Sequence, residues 1–370
     1  MTNVNASIVV VGGGPSGSAA ALTLARGRHR VLLLEEAPAP GFKVGEGLPP
    51  AARPLLRDLG LLENMSAEGH LPSPANASAW GSPRLHTQDF LFGLQGRGWH
   101  LDRARFDASL REAAAREGVE VRLGTRLLAA ERTREGWHLR LASGEGTEEL
   151  ACAWLVDATG RRSAIARRQG ATRLHADGLI AFFARFGPGP DTTDRDGRTW
   201  VESVPEGWWY TARVPSGERV VAFLTDADLV DRARLLSEEG FLSALDETTH
   251  LRALLSTQGA VLRERPRGAD AASARLDHFV GPGWLAAGDA ALSFDPLSSQ
   301  GITTALHSGM SAGRALGAHL AGEHQALEAY AAHLEAIHAA YGRHRAAFYG
   351  GERRWAHRPF WARRHAHAVQ

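Results

Sequence analysis

The stretch that decides the fold lies near the start of the chain and reads Ile8-Val9-Val10-Val11-Gly12-Gly13-Gly14-Pro15-Ser16-Gly17. An apolar run that ends in this glycine pattern is typical of a βαβ unit that binds a dinucleotide. Gly12 would make the tight turn after the strand, Gly14 would let the backbone approach a pyrophosphate, and Gly17 would let the helix lie close to the strand. The pyrophosphate would sit at the helix N-terminus, beside Pro15 and Ser16, where free N–H groups favour negative charge.

A second apolar run, Val31-Leu32-Leu33-Leu34, follows about twenty residues later and ends in Glu35 and Glu36. A carboxylate at this position, Glu35, is predicted to bind the ribose hydroxyls of an adenosine, with Glu36 as a neighbouring candidate. The sequence therefore predicts an adenine dinucleotide site.

Composition indicates a globular protein. The chain has 370 residues, of which 44% are hydrophobic and 22% charged, and its net charge is +1. These values favour two closely joined lobes and argue against nucleic-acid or membrane binding. Cys152 is the only cysteine, so no internal disulfide is expected. We expect no signal peptide, no membrane span, no metal site and a cytoplasmic location.

Three further motifs follow in order: Asp157-Ala158-Thr159-Gly160-Arg161, Gly283-Trp284-Leu285-Ala286-Ala287-Gly288-Asp289 and Phe294-Asp295-Pro296-Leu297-Ser298-Ser299-Gln300-Gly301-Ile302. Together with the glycine-rich loop they resemble the superfamily of FAD-dependent monooxygenases and flavin-dependent halogenases. The resemblance spans nearly the whole chain. It implies an α/β protein of the aromatic-hydroxylase fold, in which a Rossmann-type FAD-binding domain is interleaved with an antiparallel-sheet substrate domain of α+β type.

The resemblance also implies cofactor-binding residues for a noncovalently bound FAD. Gly288 and Asp289 would contact the ribityl or pyrophosphate portion. The amides of Gln300, Gly301 and Ile302 would face the flavin N1–C2=O edge, where a helix N-terminus stabilises negative charge. Further candidates are Arg103, at a helix start, and Lys43, in the loop Phe42-Lys43-Val44-Gly45-Glu46-Gly47.

The predicted FAD-binding domain comprises residues 1–80, 99–175 and 265–320. Residues 81–98 and 176–264 form the predicted substrate domain, and residues 321–370 a helical, basic and aromatic tail. Antiparallel strands are predicted at residues 180–186, 199–204, 208–214 and 219–225 from their alternating pattern and from the turns between them. This sheet is expected to cover the flavin.

Aromatic side chains dominate the predicted sheet. The substrate-binding candidates are Phe183, Trp200, Trp208, Trp209 and Tyr210, which would suit a flat apolar substrate. Strands favour aromatic residues and alternation turns about half of them inward, so about half of this set is expected to be core.

Halogenases of this superfamily carry a lysine about seven residues before a Trp-Gly pair. Here Trp80-Gly81 follows Pro72-Ser73-Pro74-Ala75-Asn76-Ala77-Ser78-Ala79, and the only lysine of the chain is Lys43. Tryptophan halogenases have a glutamate where this chain has Ser298. The pattern favours an oxygenase over a halogenase.

Catalytic candidates lie in two loops. Glu46 could relay a proton or hold its loop by hydrogen bonds, and Pro296 and Ser298 lie in the segment that resembles the flavin-facing loop. The tail around Trp355, Phe360 and Trp361 resembles that of halogenase-like maturases of quinone-cofactor enzymes, which hydroxylate a peptidyl tryptophan. Alternatively, the tail caps the FAD lobe, with these aromatic rings inward and its arginines solvated.

The predicted function is hydroxylation of an aromatic ring, indole-like and free or peptidyl, through a flavin C4a-hydroperoxide. The expected cofactor is FAD, reduced by NAD(P)H or by flavin from a partner reductase. Alternatives are a flavin-dependent halogenase, a geranylgeranyl-reductase-like oxidoreductase, and a non-enzymatic FAD-binding interaction protein.

Overall fold

The apolar runs at the start of the chain form the centre of a parallel sheet. The computed structural model describes residues 7–90, 93, 95–190 and 192–366. With strands numbered in chain order, the order across this sheet is β21 (Val280–Gly281), β22 (Trp284–Ala286), β12 (Trp154–Asp157), β1 (Ile8–Val11), β2 (Val31–Glu35) and β8 (Glu120–Leu123). All neighbours are parallel except β21 and β22. The central strands are buried on both faces, as near-continuous apolar runs require.

Helices cover this sheet and fix the entry to the cofactor site. They are α1 (Pro15–Arg26), α3 (Arg103–Arg116), α4 (Ala164–Arg168), α8 (Gly301–Leu320) and α9 (Ala326–Gly351). Helices α1 and α8 cross at Gly309 and Ser16. A Cβ on Gly309 would lie 2.2 Å from the Ser16 carbonyl oxygen. Glycine at this point lets the two helices approach closely.

Three small sheets complete the strand content of the described part of the chain, besides the two larger sheets. One consists of β9 (Arg126–Arg132), β10 (Trp137–Ser143) and β11 (Gly146–Cys152), and a second of β13 (Arg173–His175), β20 (Ala274–Leu276) and β23 (Leu292–Ser293). The third has the order β3 (Gly47–Leu48), β7 (Gly98–His100) and β4 (Leu71–Ser73). Helix α2 (Arg53–Leu59) follows β3 in the chain.

A large sheet forms the second lobe. Its order is β18 (Val261–Leu262), β14 (Leu179–Gly187), β17 (Arg219–Asp226), β16 (Gly207–Arg213), β15 (Thr199–Val204), β5 (Ala75–Ala79) and β6 (His86–Asp89), and β19 (Arg267–Asp270) also pairs with β14. The four predicted strands agree with β14, β15, β16 and β17 to within one residue at each end. Strands β5 and β19 belong to this sheet by their pairing, although the predicted domain division placed residues 75–79 and 267–270 with the FAD-binding domain.

The two faces of the large sheet pack against different partners. One face, called here the helix face, packs against α5 (Arg232–Leu235), α6 (Glu238–Leu245) and α7 (His250–Thr257). The other, called the site face, packs against the end of α9, α10 (Pro359–Ala366) and the side chains of Val44 and Leu297. Because alternate residues of a strand point to opposite faces, each strand contributes to both environments.

The parallel and antiparallel sheets confirm the predicted α/β fold with an interleaved second lobe. Within the described residues, no helix combines the length and apolar character that a bilayer span requires.

Candidate active site

The glycine-rich loop has the predicted geometry. Gly12 adopts a φ of +108°, and a Cβ there would lie 2.2 Å from the Ala158 carbonyl oxygen. A Cβ on Gly17 would lie 1.9 Å from the Gly12 carbonyl oxygen, whereas a Cβ on Gly14 would meet no atom within 4 Å. Gly12 and Gly17 therefore permit close packing within the protein, while Gly14 faces open space at the start of α1.

That open space belongs to a cavity of about 580 Å³. Its lining includes Gly12 and Gly14, the carboxylates Glu35 and Glu36, and Lys43. The Glu35 carboxylate accepts hydrogen bonds from the Gly13 amide, at 2.8 Å, and from the Ala37 amide, at 3.0 Å. Glu36 lies 2.8 Å from Arg162 in an ion pair. Of the N-terminal candidates, the structure thus brings Gly12, Gly14, Glu35, Glu36 and Lys43 to one cavity, and the contacts of the two glutamates to a ribose remain predictions.

Lys43 and Arg103 meet at one buried carboxylate. The Lys43 ammonium lies 3.0 Å from Asp107, and the Arg103 guanidinium lies 3.3 Å from the same side chain. Arg103 also donates hydrogen bonds to the carbonyl oxygens of Val44 and Gly45, at 3.1 and 2.9 Å. These contacts hold the loop that carries Glu46 against α3.

Gly288 and Asp289 form a turn above α1. A Cβ on Gly288 would lie 2.4 Å from the Ser16 hydroxyl oxygen, so glycine is needed for this approach. The Asp289 carboxylate is half-buried and lies 3.6 Å from Arg161. Arg161 in turn donates to the carbonyl oxygens of Ala272 and Phe294, at 2.6 and 3.1 Å. Arg161 therefore joins the Asp157–Arg161 motif to the loop that follows Phe294.

Asp295 stabilises the Pro296–Ser298 turn by hydrogen bonds. The buried Asp295 carboxylate accepts from the Leu297 amide at 2.9 Å, and the Ser298 hydroxyl donates to the Asp295 carbonyl oxygen at 2.8 Å. Helix α8 begins at Gly301, with Gln300 at its N-cap and no side-chain cap. The first amides of α8 are therefore free to bind an anion. The contact made by Ser298 stabilises the turn, and its catalytic role remains a prediction.

Glu46 lies at the interface between the lobes and is 1% exposed. Its carboxylate accepts hydrogen bonds from the Gly45 amide, at 3.0 Å, and from the Tyr210 hydroxyl. Burial raises the pKa of Glu46. Burial, with the Glu46 charge beside it, also raises the pKa of Tyr210 well above its usual value. This pair can hold a proton away from solvent, which is the property that a proton relay needs.

The aromatic candidates divide between the two faces of the large sheet. Phe183, Trp208 and Tyr210 lie on the site face, whereas Trp200 and Trp209 lie on the helix face. Trp209 stacks on Phe223 with ring centroids 4.9 Å apart. The prediction that Trp200 and Trp209 bind substrate is wrong, because strand alternation turns both rings into the core beneath α6 and α7.

The end of the C-terminal tail, around Phe360 and Trp361, packs on the site face of the large sheet, whereas Leu327, Tyr330 and Leu334 of α9 pack in the core of the FAD lobe. Trp361 is fully buried, and its indole N–H donates to the Val204 carbonyl oxygen at 2.9 Å. Arg364 is also buried and pairs with Asp226 at 2.7 Å. The expectation of solvated tail arginines therefore fails for Arg364, because the sheet places a buried carboxylate beneath α10.

Tyr349 links the tail to the Pro296–Ser298 turn. The Trp208 indole N–H donates to the Tyr349 hydroxyl at 3.1 Å, and this hydroxyl donates to the Asp295 carboxylate at 2.6 Å. Burial raises the pKa of Asp295, although the Arg345 charge and the Tyr349 hydrogen bond oppose the rise. Sequence patterns did not indicate Tyr349, because its partners lie far away in the chain.

The sequence patterns also did not indicate a role for Arg111. This buried α3 arginine donates to the Gly13 carbonyl oxygen at 2.9 Å and so supports the glycine-rich loop from behind. An arginine in the middle of an Ala-rich helix gives a weak signal, because most such arginines are solvated.

The parallel sheet, the glycine-rich cavity and the turn at α8 define a dinucleotide-binding flavoprotein. The chain belongs to the family described as FAD binding domain, which matches residues 5–343. The residues present fit FAD: Gly14 opens onto a cavity large enough for the nucleotide, and Gly288 brings Asp289 to the same helix N-terminus.

Both FAD-dependent oxidoreductases and flavin-dependent halogenases are similar to this chain. A putative FAD-dependent oxidoreductase, LodB from Marinomonas mediterranea, is 31% identical, with 97% of this chain and 96% of that protein covered. The flavin-dependent halogenase armH3 from Armillaria mellea is 29% identical, with 92% and 73% covered. The structure of QhpG, a peptidyl tryptophan dihydroxylase essential for tryptophylquinone cofactor biogenesis, superposes with a TM-score of 0.80 at 26% identity, with 97% and 78% covered. The chain is thus an FAD-dependent oxidoreductase of the halogenase-like group.

Proposed function

We propose that this protein is an FAD-dependent monooxygenase that hydroxylates an aromatic ring, with an indole of a peptidyl tryptophan as the favoured substrate. When bound, FAD supplies the reduction of O₂ and the transfer of one oxygen atom. The protein binds the cofactor, orients the ring, excludes water and moves protons.

The position of the lysine carries the proposal. Lys43 is the only lysine of the chain, and its ammonium pairs with Asp107 at 3.0 Å beside Arg103. The segment before Trp80 consists of β4 and β5, where Ser73 and the alternate alanines are buried. A halogenating lysine has therefore no counterpart in that segment, and the one available lysine is held in an ion pair of the cofactor loop.

The similarity to QhpG supports a protein-bound substrate. QhpG is named as a peptidyl tryptophan dihydroxylase, and the similarity covers 97% of this chain. Two aromatic residues of the site face, Phe183 and Tyr210, lie in one row across the sheet, on either side of Ala222, with which both are paired. We infer that these two rings orient the substrate.

Glu46 and Tyr210 are the proposed proton-handling groups. Tyr210 donates to Glu46, and burial raises the pKa of the Glu46 carboxyl group. The free amides at the start of α8 would stabilise negative charge on the reduced cofactor. A dry interface between lobes limits the loss of oxygen as hydrogen peroxide. Electrons would come from NAD(P)H or from a partner flavin reductase.

Product analysis in the presence of bromide tests the proposal. The holoenzyme is supplied with reductant, O₂ and either a free indole or a tryptophan-containing peptide, and products are identified by mass spectrometry. We expect products that carry oxygen and no bromine, with ¹⁸O incorporated from ¹⁸O₂. The Lys43→Ala variant is the control and should give the same type of product.

The halogenase alternative is favoured by the similarity to armH3. Brominated product that disappears in Lys43→Ala would show that this lysine serves halogenation and would overturn the proposal. Reduction of an isoprenoid double bond without oxygen incorporation would instead assign a reductase. Oxygen consumption that no aromatic substrate alters would favour an FAD-binding interaction protein.

A further inference from the structure

A second groove, of about 750 Å³, lies outside the cofactor cavity. Its walls carry three arginines: Arg53 and Arg57 on α2, and Arg97 just before β7. The floor is Trp99, and Pro54 and Pro72 add apolar surface. Arg53 lies over the Trp99 ring, with its guanidinium carbon 4.9 Å from the ring centroid.

The groove has an excess of positive charge. Its described lining contains no Asp or Glu. Across the described part of the chain, neither Arg57 nor Arg97 forms an ion pair or a side-chain hydrogen bond, whereas Arg26, Arg185 and many other arginines are paired. The whole chain has a net charge of only +1. The charge in the groove is therefore local and lacks a partner within the described protein.

The arrangement on α2 is unfavourable without a ligand. Arg53 and Arg57 are four residues apart and so lie on one face of the helix, where like charges repel. A carboxylate ligand between them would remove this repulsion, and guanidinium groups bind carboxylates with paired hydrogen bonds.

The groove adjoins the proposed proton-handling pair. Its floor strand β7 pairs with β3 through Trp99 and Leu48, and β3 begins directly after Glu46. A Cβ on Gly47 would lie 3.8 Å from the Tyr210 hydroxyl oxygen. The strand that forms the floor of the groove is therefore paired with the strand that begins directly after Glu46.

We propose that this groove binds an acidic polypeptide segment of the protein substrate. That this segment belongs to the protein substrate rests on the proposed function. The three guanidinium groups lie on two separate chain segments along an open groove. An extended peptide places every second side chain on the same face, about 7 Å apart, so carboxylates on that face can reach separate arginines while other side chains of the same face contact Trp99 and Pro72.

Fluorescence anisotropy with a fluorescein-labelled hexaglutamate peptide and the holoenzyme tests this inference. We expect saturable binding that weakens with salt, because exposed ion pairs are screened. The double variant Arg57→Glu with Arg97→Glu should weaken peptide binding about tenfold or more, because the loss of each exposed ion pair weakens binding a few-fold. Absorbance of bound FAD checks that the variant is folded.

The matched control is Arg134→Glu with Arg140→Glu, which makes the same change in net charge at exposed positions near and within β10. This control should bind the peptide as the wild type does. Equal weakening in both double variants would overturn the inference, because it would show non-specific attraction. Displacement of the peptide by an equal concentration of inorganic phosphate would also overturn it, in favour of a small-anion site. Peptide binding is measured without turnover, so failure of the hydroxylation proposal leaves this test intact.

Discussion

Gly14 and Gly17 lie three residues apart, yet a methyl group would meet different surroundings at each. At Gly14 it would enter open space that faces the cofactor cavity, and at Gly17 it would lie 1.9 Å from the Gly12 carbonyl oxygen. We therefore expect the ligand to constrain the first position, whereas the protein itself constrains the second.

We predict that Gly14→Ala leaves the stability of the apoprotein unchanged and weakens FAD binding. Loss of a hydrogen bond to a charged group costs about 1.5–3 kcal/mol, which corresponds to about tenfold to a hundredfold in Kd. Gly17→Ala should instead lower the free energy of unfolding by about 1–3 kcal/mol through overpacking. Flavin fluorescence titration and urea denaturation separate the two effects. Equal loss of apoprotein stability in both variants would contradict the assignment of Gly14 to the cofactor.

His100 provides a pH-dependent contribution to stability. It is fully buried, with its Nε2 atom 2.9 Å from the Thr199 hydroxyl oxygen, and burial lowers its pKa to about 4. Between pH 6.5 and about 4 the unfolded chain binds a proton at this residue that the folded protein does not. The free energy of unfolding therefore falls as the pH falls through this range.

His100 is predicted to lower the free energy of unfolding by roughly 3 kcal/mol at most, because each unit of its pKa shift contributes about 1.4 kcal/mol. The His100→Gln variant should show a correspondingly flatter decline between pH 6.5 and 4, measured by urea denaturation at several pH values. His175→Gln, at an exposed position, is the control. A decline in His100→Gln as steep as that of the wild type would show that other groups cause the acid sensitivity.

Within one element, β16, alternation assigns opposite roles to neighbouring residues. Trp209 fills the core beneath α6, whereas Tyr210 donates to Glu46 on the site face. The sequence Gly207-Trp208-Trp209-Tyr210 predicts the strand and its alternation. It does not show which face meets the other lobe, because both faces of this sheet are buried.

We predict that Trp209→Ala lowers the free energy of unfolding by about 3–5 kcal/mol without changing the ratio of hydroxylated product to hydrogen peroxide. Tyr210→Phe should cost about 1–3 kcal/mol because the Glu46 oxygen that accepts from the Tyr210 hydroxyl loses this donor, and it should shift oxygen use toward hydrogen peroxide. Peroxide assays and denaturation of both variants test this pair. Full coupling in Tyr210→Phe would exclude Tyr210 from proton handling.

At the scale of the whole molecule, FAD should stabilise both lobes together. The cofactor cavity is built from β1, β2, the start of β9 and residues 158–168, which include α4, while the Glu46 loop connects it to the large sheet. The stability of segments that lie far apart in the sequence therefore depends on one ligand. Binding to the folded state alone raises its stability by mass action.

We predict that free FAD at a hundred times its Kd adds about 2.7 kcal/mol to the free energy of unfolding. For 370 residues this corresponds to a rise in Tm of about 3–4 °C, in a transition that unfolds both lobes. Differential scanning fluorimetry of apoprotein with increasing FAD measures it. NAD at the same concentration is the control ligand, and an equal rise with NAD would contradict the specificity for FAD.

Local patterns in the sequence predicted the βαβ unit, the strands of the large sheet and the absence of a halogenating lysine, because each depends on residues close together in the chain. The tertiary structure decided which rings face the site, that Tyr210 meets Glu46 at a separation of 164 residues, and that Tyr349 meets Asp295 at a separation of 54. Such contacts arise only when separate elements pack together. Periodicity shows how a strand divides its side chains between two faces, and only the packing of the lobes shows which face becomes the active site.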